Sequence, residues 1–199
     1  MEIKRTEKKF AGINFNDSEY KNFVQSLSSV DKPYLALFIG LYENNKKKAL
    51  KEIKKSTGQE VRTFDFNDIV SKNETETYQA LDELFEEVST SDDILFFQNG
   101  DKLCGAYTGF SHSKVKYATP QERYFLEKIQ EYGGLVFIDI TEYDSADETI
   151  LRASQSIIKF PLPNSKFQRF WWHLKHYSLH GFQLKTKRPK EYMDTSTNF

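Results

Sequence analysis

Cysteine is nearly absent from this sequence, and so are long apolar runs. The single cysteine among 199 residues, Cys104, excludes an intramolecular disulfide framework and a zinc site built from several cysteines. No segment approaches the roughly 20 apolar residues that span a bilayer, and the first residues, Met1 to Glu7, are charged where a signal peptide needs an apolar run. We therefore expect a cytoplasmic protein without a membrane partner.

An excess of either charge is also missing. Lys and Arg total 28 against 29 for Asp and Glu, which gives a net charge of −1 and excludes the strongly basic profile of a general nucleic-acid binder. Hydrophobic residues reach only 38%, but aromatic residues make up 15% of the chain. Because each aromatic side chain buries a large area, and because the chain is long enough for one domain with a core, full disorder is excluded.

Short apolar runs alternate with helical patterns through the middle of the chain. The runs are 34–39, 94–97, 135–138 and 157–160, and a more mixed fifth run at 61–66 reads as an edge strand. Amphipathic helices are predicted over 45–56, 75–88 and 120–132. Continuous apolar runs are typical of strands covered on both faces, so the alternation predicts an α/β fold with a five-stranded parallel sheet flanked by helices.

The two ends differ from this middle part. Residues 1–32 are predicted to be an N-terminal extension with one docking helix near 18–28, and residues 33–180 to be the α/β core. A further helix is expected around Phe167, Phe170, Trp171 and Leu174, and residues 181–199 are expected to be a loose tail.

One weak motif follows the first run. Gly40 and Lys46 fall in register with the phosphate-binding pattern G-x-x-x-x-G-K-[ST], but Asn45 replaces the second glycine and Lys47 replaces the hydroxyl residue that would hold Mg²⁺. A glycine and a lysine at this spacing also arise by chance in a lysine-rich helix.

Several further segments share one register with this motif. They are Asn73–Glu76, Leu81–Val88, Ser91–Asp101, Tyr117–Thr119, Glu131–Val136, Leu151–Arg152 and Phe160–Pro163. In this order and at these spacings, the chain resembles the AAA+ ATPase core over roughly residues 33–175. It is most similar to the AAA+ proteins encoded with contractile injection systems, which are phage-tail-like particles. The resemblance implies a sheet ordered 5-1-4-3-2 and a lid domain that is largely absent.

The resemblance also implies a nucleotide site whose working residues have been replaced. The Walker B acids, which hold Mg²⁺ and polarise the attacking water, correspond to the neutral amides Gln98 and Asn99. The sensor 1 position falls near Thr141. Arg152 corresponds to the first of two arginines that reach a neighbouring subunit's nucleotide, and Ala153 replaces the second.

These replacements lead to a function hypothesis with two alternatives. The first reading is an inactive AAA+-like module, without catalytic residues, cofactor or metal, that acts in interaction or assembly, for instance within a contractile injection system. Its partner would be a second copy, an active AAA+ subunit or a particle component, and not nucleic acid. The alternatives are weak binding of ATP or ADP through Lys46 and Thr141 without efficient hydrolysis, and an active ATPase with atypical motifs.

Three other features carry a plainer reading. His173, His176 and His180 could line one helix face and hold a metal ion, but a partly exposed aromatic helix is the favoured interpretation. The six lysines between 46 and 55 are more often a solvated helix surface than an anion site. Trp171 and Trp172 suggest an apolar patch that a partner would cover.

Overall fold

A computed structural model describes residues 12–104, 106–107, 116–163, 165, 167, 169–170 and 174, with the backbone alone at 106–107 and 116–117. The chain divides into two compact units, Met1–Pro161 and Leu162–Phe199. The strands are β1 Ile13–Asn14, β2 Tyr34–Ile39, β3 Val61–Asp65, β4 Ile94–Gln98, β5 Ala106–Tyr107, β6 Lys116–Tyr117, β7 Leu135–Ile140 and β8 Ser156–Lys159. The α-helices are α1 Ser18–Ser26, α2 Glu43–Thr57, α3 Phe66–Ile69, α4 Glu74–Val88, α5 Pro120–Tyr132 and α6 Glu148–Ala153.

A six-stranded parallel sheet in the order β1-β8-β2-β7-β4-β3 forms the centre of the first unit. Its last five strands are the five predicted runs in the predicted order, with β3 at the edge. The prediction of five strands is wrong by one, because β1 pairs in parallel with β8 through Ile13 and Ile158. A strand of two residues carries no periodic signal in the sequence, and its pairing is created by the tertiary fold.

The sheet separates two apolar clusters. Along β2, Leu35 and Leu37 belong to the cluster that contains residues of α4 and α5, whereas Ala36 and Phe38 belong to the cluster that contains residues of α1 and α2. Each inner strand is therefore covered on both faces, which explains why its sequence is a continuous apolar run. α1 and α2 lie on one face of the sheet, and α4 and α5 lie on the other.

Local signals account for the helix ends. Thr119 accepts a hydrogen bond from the Glu122 backbone N–H and Pro120 occupies the first turn, so α5 begins where the sequence predicts. α2 and α5 both end at a glycine in the left-handed conformation, Gly58 (φ 74°) and Gly133 (φ 68°). α1 covers most of the range 18–28 and is followed by one short 3₁₀ turn at Leu27–Ser29.

The second unit is described at only a few positions. The backbone is helical at residues 167, 169, 170 and 174, and Phe167 and Phe170 are 70% and 61% exposed. Trp171, Trp172, the three predicted metal-ligand histidines and the predicted tail 181–199 lie outside the described residues. Among the helices that the structure describes, none is both long and apolar enough to cross a membrane.

Candidate functional site

The carboxyl ends of parallel strands are the usual location of a ligand site in an open α/β sheet. Here the ends of β2, β7 and β4 carry most of the predicted site residues. Gly40 follows β2 and Thr141 follows β7. Gln98 is the last residue of β4, and Asn99 comes directly after it.

Gly40 occupies a position that only glycine fits. Its φ of 141° lies in a region that other residues rarely adopt, and a Cβ at this position would overlap the carbonyl oxygen of Phe160. Its backbone N–H donates to the Ile140 carbonyl oxygen at 3.1 Å. The glycine is therefore explained by close packing between β2 and its neighbours, and its N–H is already used within the protein.

The connection from β2 to α2 is short. Three residues, Gly40 to Tyr42, separate the strand from a helix that begins at Glu43. The backbone N–H groups of Asn45 and Lys46 both point to the Tyr42 carbonyl oxygen, at 3.1 and 3.4 Å. In the phosphate-binding pattern, the backbone N–H groups between the glycine and the lysine wrap the phosphates. Here most of these residues are helical.

Lys46 is buried and pairs with two carboxylates. Only 1% of its side chain is exposed, and its Nζ donates to Oδ1 of Asp139 and, at 3.0 Å, to Oε1 of Glu43. Asp139 belongs to β7 and is itself buried, whereas Glu43 opens α2 and is about half exposed. A lysine from α2 thus closes an ion pair across to the neighbouring strand end.

Burial raises the pKa of Asp139 to about 6. The loss of solvation outweighs the attraction of Lys46, and the negative charges of Glu43 and Asp101 raise the pKa further. Asp139, which pairs with Lys46, is thus influenced by two further carboxylates, those of Glu43 and Asp101. The formal charges of these four groups sum to −2.

The two residues at the predicted Walker B positions contribute no acid to this edge. Asn99 adopts a left-handed conformation with φ 57°. Its side-chain N–H₂ donates to both carboxylate oxygens of Asp65, at 2.8 and 2.9 Å. Gln98 ends β4 opposite Asp65 in the register of β3 and β4. Asn99 thus ties the end of β4 to the end of β3.

Thr141 is held by Asp101. Its backbone N–H donates to Asp101 Oδ2 at 3.0 Å, and its hydroxyl donates to Oδ1 at 2.9 Å. Asp101 lies in a 3₁₀ turn just after β4, so this pair joins the connections that follow β4 and β7. The Thr141 hydroxyl is used within the protein in this conformation.

Arg152, the predicted trans arginine, lies on α6. Its guanidinium is exposed and pairs with Glu148 one helical turn earlier, at 2.8 Å. An exposed pair of this kind contributes little to stability and leaves the arginine free to rearrange.

Sequence reasoning missed the central partner of the site. Asp139 interrupts the apolar run Leu135–Ile140, and a lone carboxylate within a strand that is covered on both faces needs a partner or must be protonated. That interruption was a usable signal. Among the described residues, no group of histidine, cysteine and carboxylate side chains is arranged to hold a metal ion.

The described unit is a parallel α/β protein with its polar groups gathered at the carboxyl edge of the sheet and bonded to one another. Comparison with models of protein families and with curated proteins gives no match for this chain.

Proposed function

We propose that the protein is an AAA+-like module that does not hydrolyse ATP and that acts as an interaction or assembly component, such as a subunit of a contractile injection system. One observation carries the proposal. The lysine that would bind phosphate is buried and neutralised by Asp139 and Glu43.

Charge supports this proposal. A nucleotide brings several negative charges, and the carboxylates of Asp139, Glu43 and Asp101 would repel it. To reach a phosphate, Lys46 would have to leave Asp139 as an unpaired buried carboxylate. Removing one partner of a buried ion pair in other proteins costs about 3–5 kcal/mol. Binding through Lys46 is therefore disfavoured before any phosphate contact is made.

The chemistry of hydrolysis lacks its usual groups as well. Phosphoryl transfer depends on positioned charge and on Mg²⁺, and the amides of Gln98 and Asn99 neither neutralise a metal ion nor accept a proton from water. The Asn99 amide is also occupied by Asp65.

Exposed apolar side chains support the interaction role. Leu41, beside the candidate site, is 42% exposed, and in the second unit Phe167, Phe170 and Leu174 are 70%, 61% and 44% exposed. Phe167, Phe170 and Leu174 follow helical spacing, and an exposed group of apolar side chains marks an interaction site more often than a single exposed residue does. The expected partner is a second copy, an active AAA+ subunit or a particle component.

The nucleotide part of the proposal is tested by thermal-shift titration and a phosphate-release assay with ATP and Mg²⁺. We expect no stabilisation and no release, for the wild type and for Lys46→Met alike, with Lys47→Met as the exposed matched control. A ligand at 100 times its Kd would stabilise the protein by about 2.7 kcal/mol, which such an experiment detects easily.

Two outcomes would contradict the proposal in different ways. Stabilisation by ATP or ADP that Lys46→Met abolishes, without phosphate release, would establish the weak nucleotide binder. Mg²⁺-dependent release would establish an active ATPase. The assembly role is tested by light scattering of the protein alone and mixed with the candidate AAA+ or particle subunits, and monomeric behaviour in every mixture would contradict it.

A further inference from the structure

The outer face of α2 is strongly basic. The helix packs on the sheet through Ala49 and Ile53, which are fully buried. Its exposed positions include five lysines: Lys47, Lys48, Lys51, Lys54 and Lys55. We call these five residues the lysine face.

The outer face of α4 has the opposite charge. This helix packs through Leu81, Leu84 and Phe85, and no lysine or arginine occurs between Glu74 and Val88. Its exposed positions include six acids: Glu74, Glu76, Asp82, Glu83, Glu86 and Glu87. We call these six residues the acidic face.

The two faces lie on opposite sides of the sheet. Ala49 and Ile53 of α2 belong to one apolar cluster and Leu81 and Leu84 of α4 belong to the other, with the sheet between them. The lysine face and the acidic face therefore point away from each other and do not pair within one molecule. The near-zero net charge hides this segregation, and it also means that two copies do not repel each other at long range.

Both faces retain charges without an ion-pair partner. Lys48 pairs with Glu52 and Lys54 with Glu60, but within the described part of the chain Lys47, Lys51 and Lys55 form no ion pair. On α4, Asp82 pairs with Lys128 and Glu87 with Arg62, and no ion pair is found among the described residues for Glu83 or Glu86.

We infer that the lysine face of one copy docks on the acidic face of a second copy. Such a contact joins two different surfaces, so it repeats head to tail and produces a ring or an open filament. The inference deepens the proposed interaction role, on which it rests, by identifying the partner as the chain itself. A second copy fits better than a nucleic acid, because it supplies a complement to both faces, whereas a nucleic acid would engage only the lysine face and be repelled by the acidic one.

Two charge-reversed variants test this arrangement. Lys47→Glu/Lys51→Glu lowers the formal charge of the lysine face from +5 to +1, and Glu83→Lys/Glu86→Lys reduces that of the acidic face from −6 to −2. Glutamate and lysine have similar helix propensities, so both variants are expected to fold, which circular dichroism checks. Lys102→Glu/Glu142→Lys reverses two exposed charges outside α2 and α4 and keeps the net charge at −1, so it controls for the substitution of exposed charges as such.

The readout is the mass in solution, measured by light scattering on nuclease-treated protein. For the wild type and the control, the mass should rise with concentration at about 0.01 M salt and fall to 23.4 kDa near 1 M salt, because the Debye length shrinks from about 30 to 3 Å. Each reversed variant should remain monomeric. Their equimolar mixture should form a dimer of twice that mass and nothing larger, because each variant keeps one functional face.

The inference is overturned if the wild type stays monomeric at low salt, if assembly requires added nucleic acid, or if the mixture of variants does not dimerise. These outcomes are independent of the nucleotide assays. If the wild type is monomeric and also does not bind ATP, self-assembly is excluded. The proposed function is then an inactive module with a different partner.

Discussion

Lys46 is one of six lysines between residues 46 and 55, yet its environment differs from that of the other five. It alone in this group is buried, because its position on α2 faces the end of β7, where Asp139 accepts from its Nζ. Burying two charges removes their solvation, and their mutual attraction must offset that loss. The pair is therefore weak evidence for a gain in stability. It does show that Lys46 and Asp139 are already paired with each other at this edge of the sheet.

The raised pKa of Asp139 predicts a pH dependence of stability. The folded-state value of about 6 lies above the ordinary value of 3.8, so folding favours the protonated form. The contribution of Asp139 to the free energy of unfolding is therefore largest below about pH 4 and is lost as the pH rises through 6. Its size is about 1.4 kcal/mol for each unit by which the folded pKa exceeds the unfolded pKa.

We expect Asp139→Asn to remove this dependence, since an amide does not titrate in this range. The measurement is urea denaturation of both proteins at pH 4, 5, 6 and 7. Relative to the variant, the wild type should lose free energy of unfolding as the pH rises. Asp144→Asn, on an exposed turn, is the control, and parallel curves for wild type and Asp139→Asn would contradict the assignment.

At the scale of the element, helix ends depend on single side chains. Asp147 caps α6 through its Oδ1, which accepts from the backbone N–H groups of Thr149 and Ile150 at 2.6 and 3.2 Å. Asp17 occupies the same position before α1 but makes no side-chain hydrogen bond to that helix, and it is exposed. The two caps therefore differ in what a substitution removes.

We expect Asp147→Ala to lower the free energy of unfolding by roughly 1–2 kcal/mol, because two backbone donors lose their acceptor. Asp17→Ala should cost less, and chemical denaturation monitored by circular dichroism compares the two. Equal losses would show that the hydrogen bonds of Asp147 do not stabilise α6.

At the scale of the whole molecule, the order of strands decides how much each contributes. β2 lies between β8 and β7 and is covered on both faces, whereas β1 contributes two half-buried residues to the edge of the sheet. Leu37 of β2 is fully buried in the α4 and α5 cluster.

We expect Leu37→Ala to cost about 2–5 kcal/mol of the free energy of unfolding, as large-to-small core substitutions do. Ile13→Ala in β1 should cost clearly less, because its side chain is only half buried before the substitution. Urea denaturation of both variants tests this ranking, and an equal or larger loss for Ile13→Ala would contradict the dominant role of the inner strand.

Elements that depend on local signals can be predicted from the amino-acid sequence. The apolar runs of the inner strands, the Thr119–Pro120 start of α5 and the glycine ends of α2 and α5 act within a few residues of the chain, so they can be recognised without a fold. The sheet order followed from the resemblance of several motifs in one register. The loss of ATP hydrolysis, the partner and the link to injection systems remain predictions.

The burial of particular charges and the position of the edge strand depend on long-range pairing in the folded chain. Lys46 and Asp139 are 93 residues apart, and the register of Lys46 with Gly40 does not indicate that Asp139 is its partner. β1 likewise depends on a strand that begins 143 residues after it. Such pairings depend on which segments the fold brings together, and local periodicity carries no information about that choice.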